Sequence, residues 1–342
     1  MFESLDPSSR PNWKLRGAFA IAGLAIIGSA VWLLRMTEMP LASYAAALPL
    51  LSPEESGLRN HLAEDVEYLS TLGERSTRKA GSLQATVQYI RDRLQQSGYQ
   101  ATEQPFSVQG ETLSNIEAVI IGSDAREETI VVGAHYDSAA GTVGADDNAT
   151  GVAATLELAR LLRESKPYTT IRFAFFVNEE PPYFQTKNMG SLVYARKLRR
   201  AGIPVKAMIS LESIGFYSDA PHSQKYPPVL ALFYPSQGDF VGFVANPESG
   251  ALLRRSIRRF RESTKFPSEG VAAPAEWPGV GWSDHWSFWQ EKYPAIMVTD
   301  TAAFRYPYYH TAEDTFEKLD FEKAARVADG IRRVILMLAN EP

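Results

Sequence analysis

The sequence predicts an α/β domain with a mixed, largely parallel central sheet sandwiched by helices. Two observations lead to this prediction. Segments with helical periodicity alternate along the chain with short apolar runs typical of strands. This alternation is the pattern of a sheet with helices on its faces. The composition agrees, because 45% hydrophobic and 22% charged residues are ordinary values for a globular protein.

Each predicted element is defined by the spacing of its apolar residues. Helical spacing predicts helices over residues 54–71, 82–96, 149–164, 191–201, 252–264 and 322–338. Apolar runs bounded by turn residues predict strands over residues 116–121, 129–133, 170–177, 207–211, 229–233 and 295–299.

The helix predicted over 252–264 is strongly basic. Its arginines are Arg254, Arg255, Arg258, Arg259 and Arg261. We interpret this spacing as a solvated helix face, and a contact with anionic lipid or a partner is the alternative.

The N-terminal part contains 18 consecutive uncharged, mostly apolar residues at positions 17–34. This length is at the short end of the roughly 17–25 residues that span a bilayer. Arg10, Lys14 and Arg16 precede the run, whereas only Arg35 follows it before Arg59. The positive-inside bias therefore predicts residues 1–16 in the cytoplasm, a transmembrane signal-anchor at 17–34, a linker at 35–52 and an extracytoplasmic domain at 53–342.

Two alternatives to the anchor remain. A buried core helix would usually show a polar stripe, which this run lacks. A cleaved signal peptide would need a processing site, and the candidate at residues 42–45 lies far beyond the apolar run. We therefore expect a single-pass protein of the cell membrane, with its larger domain periplasmic or extracellular.

The charge and the cysteine content exclude several function classes. The chain has a net charge of −5 and no cysteine. Disulfide scaffolds, thiol catalysis, iron–sulfur clusters and cysteine-based zinc fingers are therefore excluded. The mild acidity argues against nucleic-acid binding. Any metal must be held by His, Asp and Glu.

Carboxylates and imidazoles follow the predicted strands at their carboxyl ends, where ligands bind in open α/β sheets. His135 and Asp137 follow the strand at 129–133, Glu179 and Glu180 follow the strand at 170–177, and Glu212 follows the strand at 207–211. Hard and borderline ligands of this kind are those that a hydrolytic metal site needs.

Two further candidates lie outside these strand ends. Asp147 precedes the helix at 149–164, and His310 comes after the last strand. Each piece alone has an ordinary explanation, since Asp before a helix is usually an N-cap and a lone His is usually a satisfied polar residue. Those explanations do not account for the occurrence of so many potential ligands in these few segments, which contain two of only five histidines in the chain.

Taken in order, the segments at 133–138 (GAHYDS), 144–151 (GADDNATG), 178–180 (NEE), 212–215 (ESIG) and 310–311 (HT) resemble metallopeptidase family twenty-eight. These are co-catalytic di-zinc exopeptidases that include bacterial leucyl aminopeptidases and glutamate carboxypeptidase. The resemblance extends from roughly residue 58 to the C-terminus and includes SDH at 283–285. It implies the zinc exopeptidase fold for the catalytic domain.

The resemblance implies two zinc ions bridged by Asp147. One ion would be held by His135 and Glu212, and the other by Glu180 and His310. Many relatives have Asp where this chain has Glu212, but a glutamate still delivers a carboxylate oxygen, so it is kept as a ligand.

The resemblance also implies roles for residues beside the ligands. Asp137 would orient the imidazole of His135. Glu179 would be the general base that takes a proton from the metal-bound water. A cis peptide is implied between Asp147 and Asn148.

Other features bear on the substrate. The link at 181–189 is longer than usual and is expected to line or cover the substrate pocket. The absence of an insertion between 137 and 144 argues against the large carboxypeptidase type. Asp284 and His285 lie in a Trp-rich stretch, where they form either a pocket wall or a hydrogen-bonded pair under an aromatic core.

These expectations together describe a membrane-anchored di-zinc aminopeptidase that hydrolyses N-terminal residues from peptides with a metal-activated water. Its partners would be peptide substrates and the membrane, through residues 17–34, with no nucleic acid. A glutaminyl cyclase on the same fold is the first alternative. A non-catalytic binding ectodomain is the second.

Overall fold

A computed structural model describes residues 31–123, 128–227 and 229–341, together with positions 23, 28 and 29. Its centre is an eight-stranded sheet with the order β1-β2-β4-β3-β5-β8-β6-β7. The strands are β1 (Thr102–Val108), β2 (Glu111–Ile120), β3 (Thr129–His135), β4 (Thr170–Phe176), β5 (Val205–Glu212), β6 (Val241–Ala245), β7 (Ser268–Ala272) and β8 (Ala295–Thr299).

The middle of the sheet is parallel, as the sequence predicts. Strands β4, β3, β5 and β8 run in one direction, and β2 and β6 flank them in antiparallel pairing. Strand β3 is buried along its whole length, which explains why it is apolar at nearly every position rather than at every second one. The carboxyl ends of β3, β4 and β5 therefore lie side by side at one edge of the sheet.

Helices cover both faces of this sheet. They are α1 (Pro53–Thr71), α2 (Ala80–Gln96), α3 (Gly151–Leu162), α4 (Gly190–Arg200), α5 (Gly250–Ser263), α6 (His285–Gln290), α7 (Ala302–Arg305) and α8 (Phe321–Asn340). One face carries α1, α2, α3, α5 and α8, and the other carries α4 and α6. Helix α1 begins with a capping box, in which Ser52 and Glu55 exchange hydrogen bonds with each other's backbone N–H.

All six predicted helices are present, but the prediction of a strand at 229–233 is wrong. This segment forms a short 3₁₀ turn (Leu230–Leu232) on the surface, where Leu232 is exposed. Pro227 and Pro228 precede it and Pro235 follows it. Because proline has no N–H to donate, these residues break the ladder that a strand would need. Strands β1, β6 and β7 are present but were not predicted.

The predicted membrane anchor at 17–34 lies mostly outside the described residues. Residues 31–37 are helical. Within the described ranges, no helix is both long enough and apolar enough to cross a membrane. The segment predicted as a linker packs on the domain, because Arg261 donates to the carbonyls of Pro40 and Leu41 and the N–H of Ser268 donates to Ser43 Oγ.

Candidate metal centre

The predicted ligands converge at the edge formed by the carboxyl ends of the parallel strands. His135 is the last residue of β3 and Glu212 is the last residue of β5. Glu180 follows β4, Asp147 lies in the turn that leads into α3, and His310 lies in the loop before α8. The structure thus brings together all five side chains, which come from five separate segments.

Asp147 lies at the centre of this cluster, with one carboxylate oxygen directed to each side. Its Oδ1 is 3.3 Å from His135 Nε2, and its Oδ2 is 3.0 Å from His310 Nε2. His135 Nε2 is also 3.3 Å from Glu212 Oε2, and His310 Nε2 is 3.4 Å from Glu180 Oε1. The cluster therefore consists of two groups of three potential ligands that share Asp147.

The donor atoms fit zinc ions in both groups. Ligand atoms at about 2.0–2.2 Å from a tetrahedral zinc lie about 3.3 Å from one another, which is close to the four distances above. Among the described residues, His135 Nε2, Asp147 Oδ1 and Glu180 Oε1 are buried without a hydrogen-bond partner. Buried polar atoms of this kind are normally satisfied, and a cation bound at each group would supply the missing interaction.

The electrostatics of the cluster also favour cations. Burial raises the pKa of Glu180 to about 7, and it raises the pKa of Glu212 and, more strongly, that of Glu179. Burial alone would lower the pKa of His310, but Asp147 and Glu180 raise it to about 10. Without metal, the cluster thus retains protons that divalent cations would displace.

Asp137 accepts hydrogen bonds beside the cluster with both of its carboxylate oxygens. Oδ1 accepts from the N–H of Glu179 at 3.2 Å, and Oδ2 accepts from the N–H of Glu180 at 3.1 Å. His135 Nδ1 lies 3.1 Å from the backbone oxygen of Asp137 and 3.6 Å from its Oδ1. His135 Nδ1 thus hydrogen-bonds to the backbone oxygen of Asp137, whereas the carboxylate of Asp137 fixes the turn after β4. That Asp137 orients His135 as a metal ligand stays a prediction. In that turn Asn178 has φ +62°, a left-handed conformation that Asn tolerates.

Asp314 holds the turn that carries Asp147, a role that the sequence analysis missed. Its carboxylate accepts from the N–H groups of Asp146 at 2.9 Å and Asp147 at 3.2 Å, and from the Tyr306 hydroxyl at 3.0 Å. The peptide between Asp147 and Asn148 is cis, which confirms the expectation. In the sequence, only the position of Asp314, four residues after His310, could have indicated this role.

Gly144 is required at the start of the same turn. It has φ +59°, and a Cβ there would lie 2.2 Å from the backbone oxygen of Asp147. A side chain at this position would displace the backbone of Asp147 and with it the Asp147 carboxylate.

Arg75 is a second missed residue. It is fully buried, and its guanidinium donates to the backbone carbonyls of Tyr136, Val143 and Gly144. The N–H of Arg75 donates to Ser138 Oγ at 3.0 Å. Arg75 thus secures both ends of the loop that joins β3 to the Asp147 turn.

The SDH segment at 283–285 contacts the cluster through its serine. Ser283 Oγ donates to Glu212 Oε2 at 2.7 Å and lies 2.9 Å from Ser210 Oγ. His285 Nε2 lies 2.7 Å from the Val280 carbonyl, and its ring meets Trp289 edge-on. His285 Nδ1 has no partner within the described part of the chain, so the pair with Asp284 is not formed.

An apolar pocket adjoins the cluster, with about 420 Å³ of empty space including space open to solvent. Its lining includes Glu212 of the cluster and Tyr309, together with Trp282, Met297 and Phe304. Its lining contains no residue of the 181–189 link, so the expectation that this link forms the pocket wall is not met for this cavity.

Phe304 also lines a second, adjacent apolar pocket, which has about 530 Å³ of empty space including space open to solvent. Its ring is stacked with that of Trp282 at a centroid distance of 6.1 Å and an interplanar angle of 13°. The two cavities share Val244, Gly279, Thr301 and Phe304 in their linings. Phe304 is therefore the largest side chain common to the two linings.

Comparison with known proteins agrees with this geometry. The profile of Peptidase family M28 matches residues 115–335. The protein YfbL of Escherichia coli K12 is 39% identical over 290 residues, which cover 82% of this chain and 86% of that protein.

Two solved structures show the same fold. The LapA aminopeptidase of Legionella pneumophila has a TM-score of 0.64 at 19% identity, with 87% of this chain and 78% of that chain covered. A glutaminyl cyclase of Bacteroides thetaiotaomicron has a TM-score of 0.61 at 18% identity, with 86% of this chain and all of that chain covered.

Proposed function

Because the chain belongs to peptidase family M28, we propose that it is a zinc aminopeptidase that holds two metal ions and releases N-terminal residues from peptides. The observation that carries the proposal is the pair of complete ligand groups, His135–Asp147–Glu212 and Asp147–Glu180–His310. Two bound metal ions at such a site polarise the scissile carbonyl, lower the pKa of water and stabilise developing negative charge.

Glu179 is the group that moves the proton. Its Oε2 lies 4.0 Å from His135 Nε2, so its carboxylate faces the space between the ligands. Glu179 accepts a proton from the attacking water and passes it to the leaving amine nitrogen. Burial raises the pKa of Glu179, and two bound cations would lower it again, which would leave the carboxylate ionised and able to accept the proton.

The cavity beside the cluster receives the side chain of the N-terminal residue. Its walls are apolar, with Trp282, Met297 and Phe304 among them, so an apolar side chain is favoured there. The carboxylate of Glu212 in its lining, with the other carboxylates of the cluster nearby, favours the positive charge of a free α-amine. A peptide with an acetylated N-terminus would therefore bind poorly.

The proposal includes the membrane. Residues 17–34 anchor the chain, and the catalytic domain lies outside the cytoplasm, in the periplasm or the extracellular space. The support for this part is the uncharged run and the excess of basic residues before it.

A glutaminyl cyclase is the second candidate, because a cyclase shares the fold. In a cyclase the substrate's own amine attacks its side-chain amide, so no hydrolytic water is needed and one metal ion is enough. Two complete ligand groups favour hydrolysis.

One assay separates these activities. A leucine chromogenic substrate, its N-acetyl form and a Gln-initiated peptide are incubated with the full chain before and after chelation, and again after addition of Zn²⁺. We expect hydrolysis of the free-amine substrate only, its loss on chelation and its recovery with zinc. Loss of ammonia from the Gln peptide, without release of an amino acid from any substrate, would refute the proposal in favour of the cyclase.

A further inference from the structure

Helix α5 and the segment before α1 line a cleft with about 640 Å³ of empty space, including space open to solvent. We call it the basic cleft, and its lining residues are Glu38, Met39, Pro40, Arg254, Arg255 and Arg258. The lining of the cleft thus contains three guanidinium groups and one carboxylate, that of Glu38.

The charges of the basic cleft are only partly neutralised. Arg255 forms an ion pair with Glu341. Arg254 donates to the backbone carbonyls of Gly250 and Arg35. Within the described ranges, neither Arg254 nor Arg258 has a carboxylate within salt-bridge distance. The cleft therefore presents a net positive charge that suits a phosphate group, since guanidinium binds phosphate with paired hydrogen bonds.

The apolar N-terminal run ends beside this cleft. Arg254 holds the carbonyl of Arg35, the residue directly after the run at 17–34. Three apolar side chains near this point are strongly exposed: Val31 at 46%, Trp32 at 44% and Leu34 at 54%. Trp32 also contacts the ring of Trp277 edge-on. If the run enters a bilayer, the surface of that bilayer therefore lies next to α5.

The basic cleft lies at the edge of the sheet opposite the metal centre. The N–H of Thr169, directly before β4, donates to the carbonyl of Ala339 at 2.8 Å, so α8 ends where the parallel strands begin. Glu341, directly beyond α8, pairs with Arg255. The ligands of the metal centre are at the other end of these strands.

More basic residues are exposed at this edge. The crossover helices α3 and α4 run antiparallel to the strands and end here. Arg163 and Lys166 follow α3, and Lys197 and Arg200 end α4; all four are exposed. The positive surface therefore extends beyond the cleft.

We propose that the basic cleft docks on anionic phospholipid headgroups, with Arg255 and Arg258 at the phosphates. This contact holds the catalytic domain with its metal centre facing away from the bilayer. The inference rests on the proposed anchor at 17–34. An unpaired arginine near an anionic membrane surface favours the contact about fivefold. Arg258 therefore contributes about that factor, and Arg255 contributes less because it is paired with Glu341.

The absence of native cysteine makes this orientation measurable with one label per chain. Ala251→Cys places a fluorophore on the exposed side of α5, one turn before Arg255. Thr112→Cys places it on β2 near the opposite edge strand, where the residue is also exposed. The full chain is reconstituted in nanodiscs of phosphatidylcholine with or without phosphatidylglycerol, and energy transfer to a headgroup-labelled lipid is measured.

We expect transfer from Ala251→Cys to rise in the anionic nanodiscs, while transfer from Thr112→Cys stays low. Adding Arg255→Gln and Arg258→Gln should return the signal to its level in neutral nanodiscs. The matched control is Arg59→Gln with Arg91→Gln, which removes two exposed, ion-paired arginines from α1 and α2. The control pair should leave the transfer unchanged.

Equal transfer in neutral and anionic nanodiscs, or transfer that survives loss of both arginines, would overturn the proposal. Inorganic phosphate added at constant ionic strength should have no effect; if it abolishes the transfer, the cleft is a site for free phosphate. A chain that does not co-elute with nanodiscs contradicts the anchor and with it the docking. Hydrolysis of the leucine substrate by the wild-type chain tests the proposed activity separately.

Discussion

Asp137 offers the sharpest single test of how the metal centre is held. Each of its carboxylate oxygens accepts from one backbone N–H, that of Glu179 or that of Glu180. In Asp137→Asn, either orientation of the amide turns an NH₂ group towards one of these N–H donors, so one hydrogen bond is replaced by a donor–donor contact. A hydrogen bond to a charged acceptor contributes roughly 1.5–3 kcal/mol. At about 1.4 kcal/mol per factor of ten, the loss corresponds to about 10- to 150-fold.

We expect this loss in zinc affinity and in kcat/KM, because the displaced turn carries the proposed ligand Glu180 and the proposed base Glu179. Zinc affinity is measured by competition with a chromogenic chelator, and kcat/KM with the leucine substrate. Asp65→Asn is the matched control: Asp65 is also buried and accepts from the Tyr89 hydroxyl at 2.6 Å, but it lies between α1 and α2. The control should lower Tm and leave zinc affinity unchanged. If Asp137→Asn lowers Tm alone, the assigned role of Asp137 is wrong.

Three further changes test other parts of the account. Glu179→Gln keeps the size of the side chain but cannot accept a proton, so kcat should fall by roughly 10²–10⁴ with both metals retained; near-normal turnover would transfer the role to another group. Phe304→Ala should join the two pockets of about 420 and 530 Å³ that this residue lines. The ratio of kcat/KM for an N-terminal Trp to that for an N-terminal Leu should then rise about tenfold. An unchanged ratio would show that the substrate side chain binds elsewhere. The pKa of Glu180 is raised to about 7 and that of His310 to about 10; protons therefore compete with zinc, and competition titrations should give an affinity at least about tenfold weaker near pH 6 than near pH 8. A pH-independent affinity would contradict the ligand assignment.

The sequence was informative about the site wherever a ligand directly follows a strand. His135 and Glu212 are the last residues of β3 and β5, and Glu180 follows β4; the topology of the sheet brings the ends of these three neighbouring parallel strands together. Apolar runs that are buried on both faces are easy to detect, and polar residues at their ends stand out. The fold class and these three candidates could therefore be predicted from the strand pattern, whereas the assignment of Asp147 and His310 as ligands depended on the resemblance to the family.

The supporting residues could not be predicted in the same way. Arg75, Ser283 and Asp314 contact the site through hydrogen bonds to loops that are distant in sequence, and no local spacing marks them. The missed strands have a related explanation. Strand β1 is an exposed edge strand that contains Pro105, and β6 and β7 are only five residues long, so their patterns are weak.

The central claim is that two metal ions share Asp147, and the metal content per chain tests it most directly. Metal is counted by elemental analysis in the wild-type chain, in His135→Ala and in Asp147→Ala after equal dialysis. We expect two zinc ions in the wild type, about one in His135→Ala, and loss from both groups together in Asp147→Ala because each group uses one of its oxygens. Two zinc ions retained in Asp147→Ala would contradict the account.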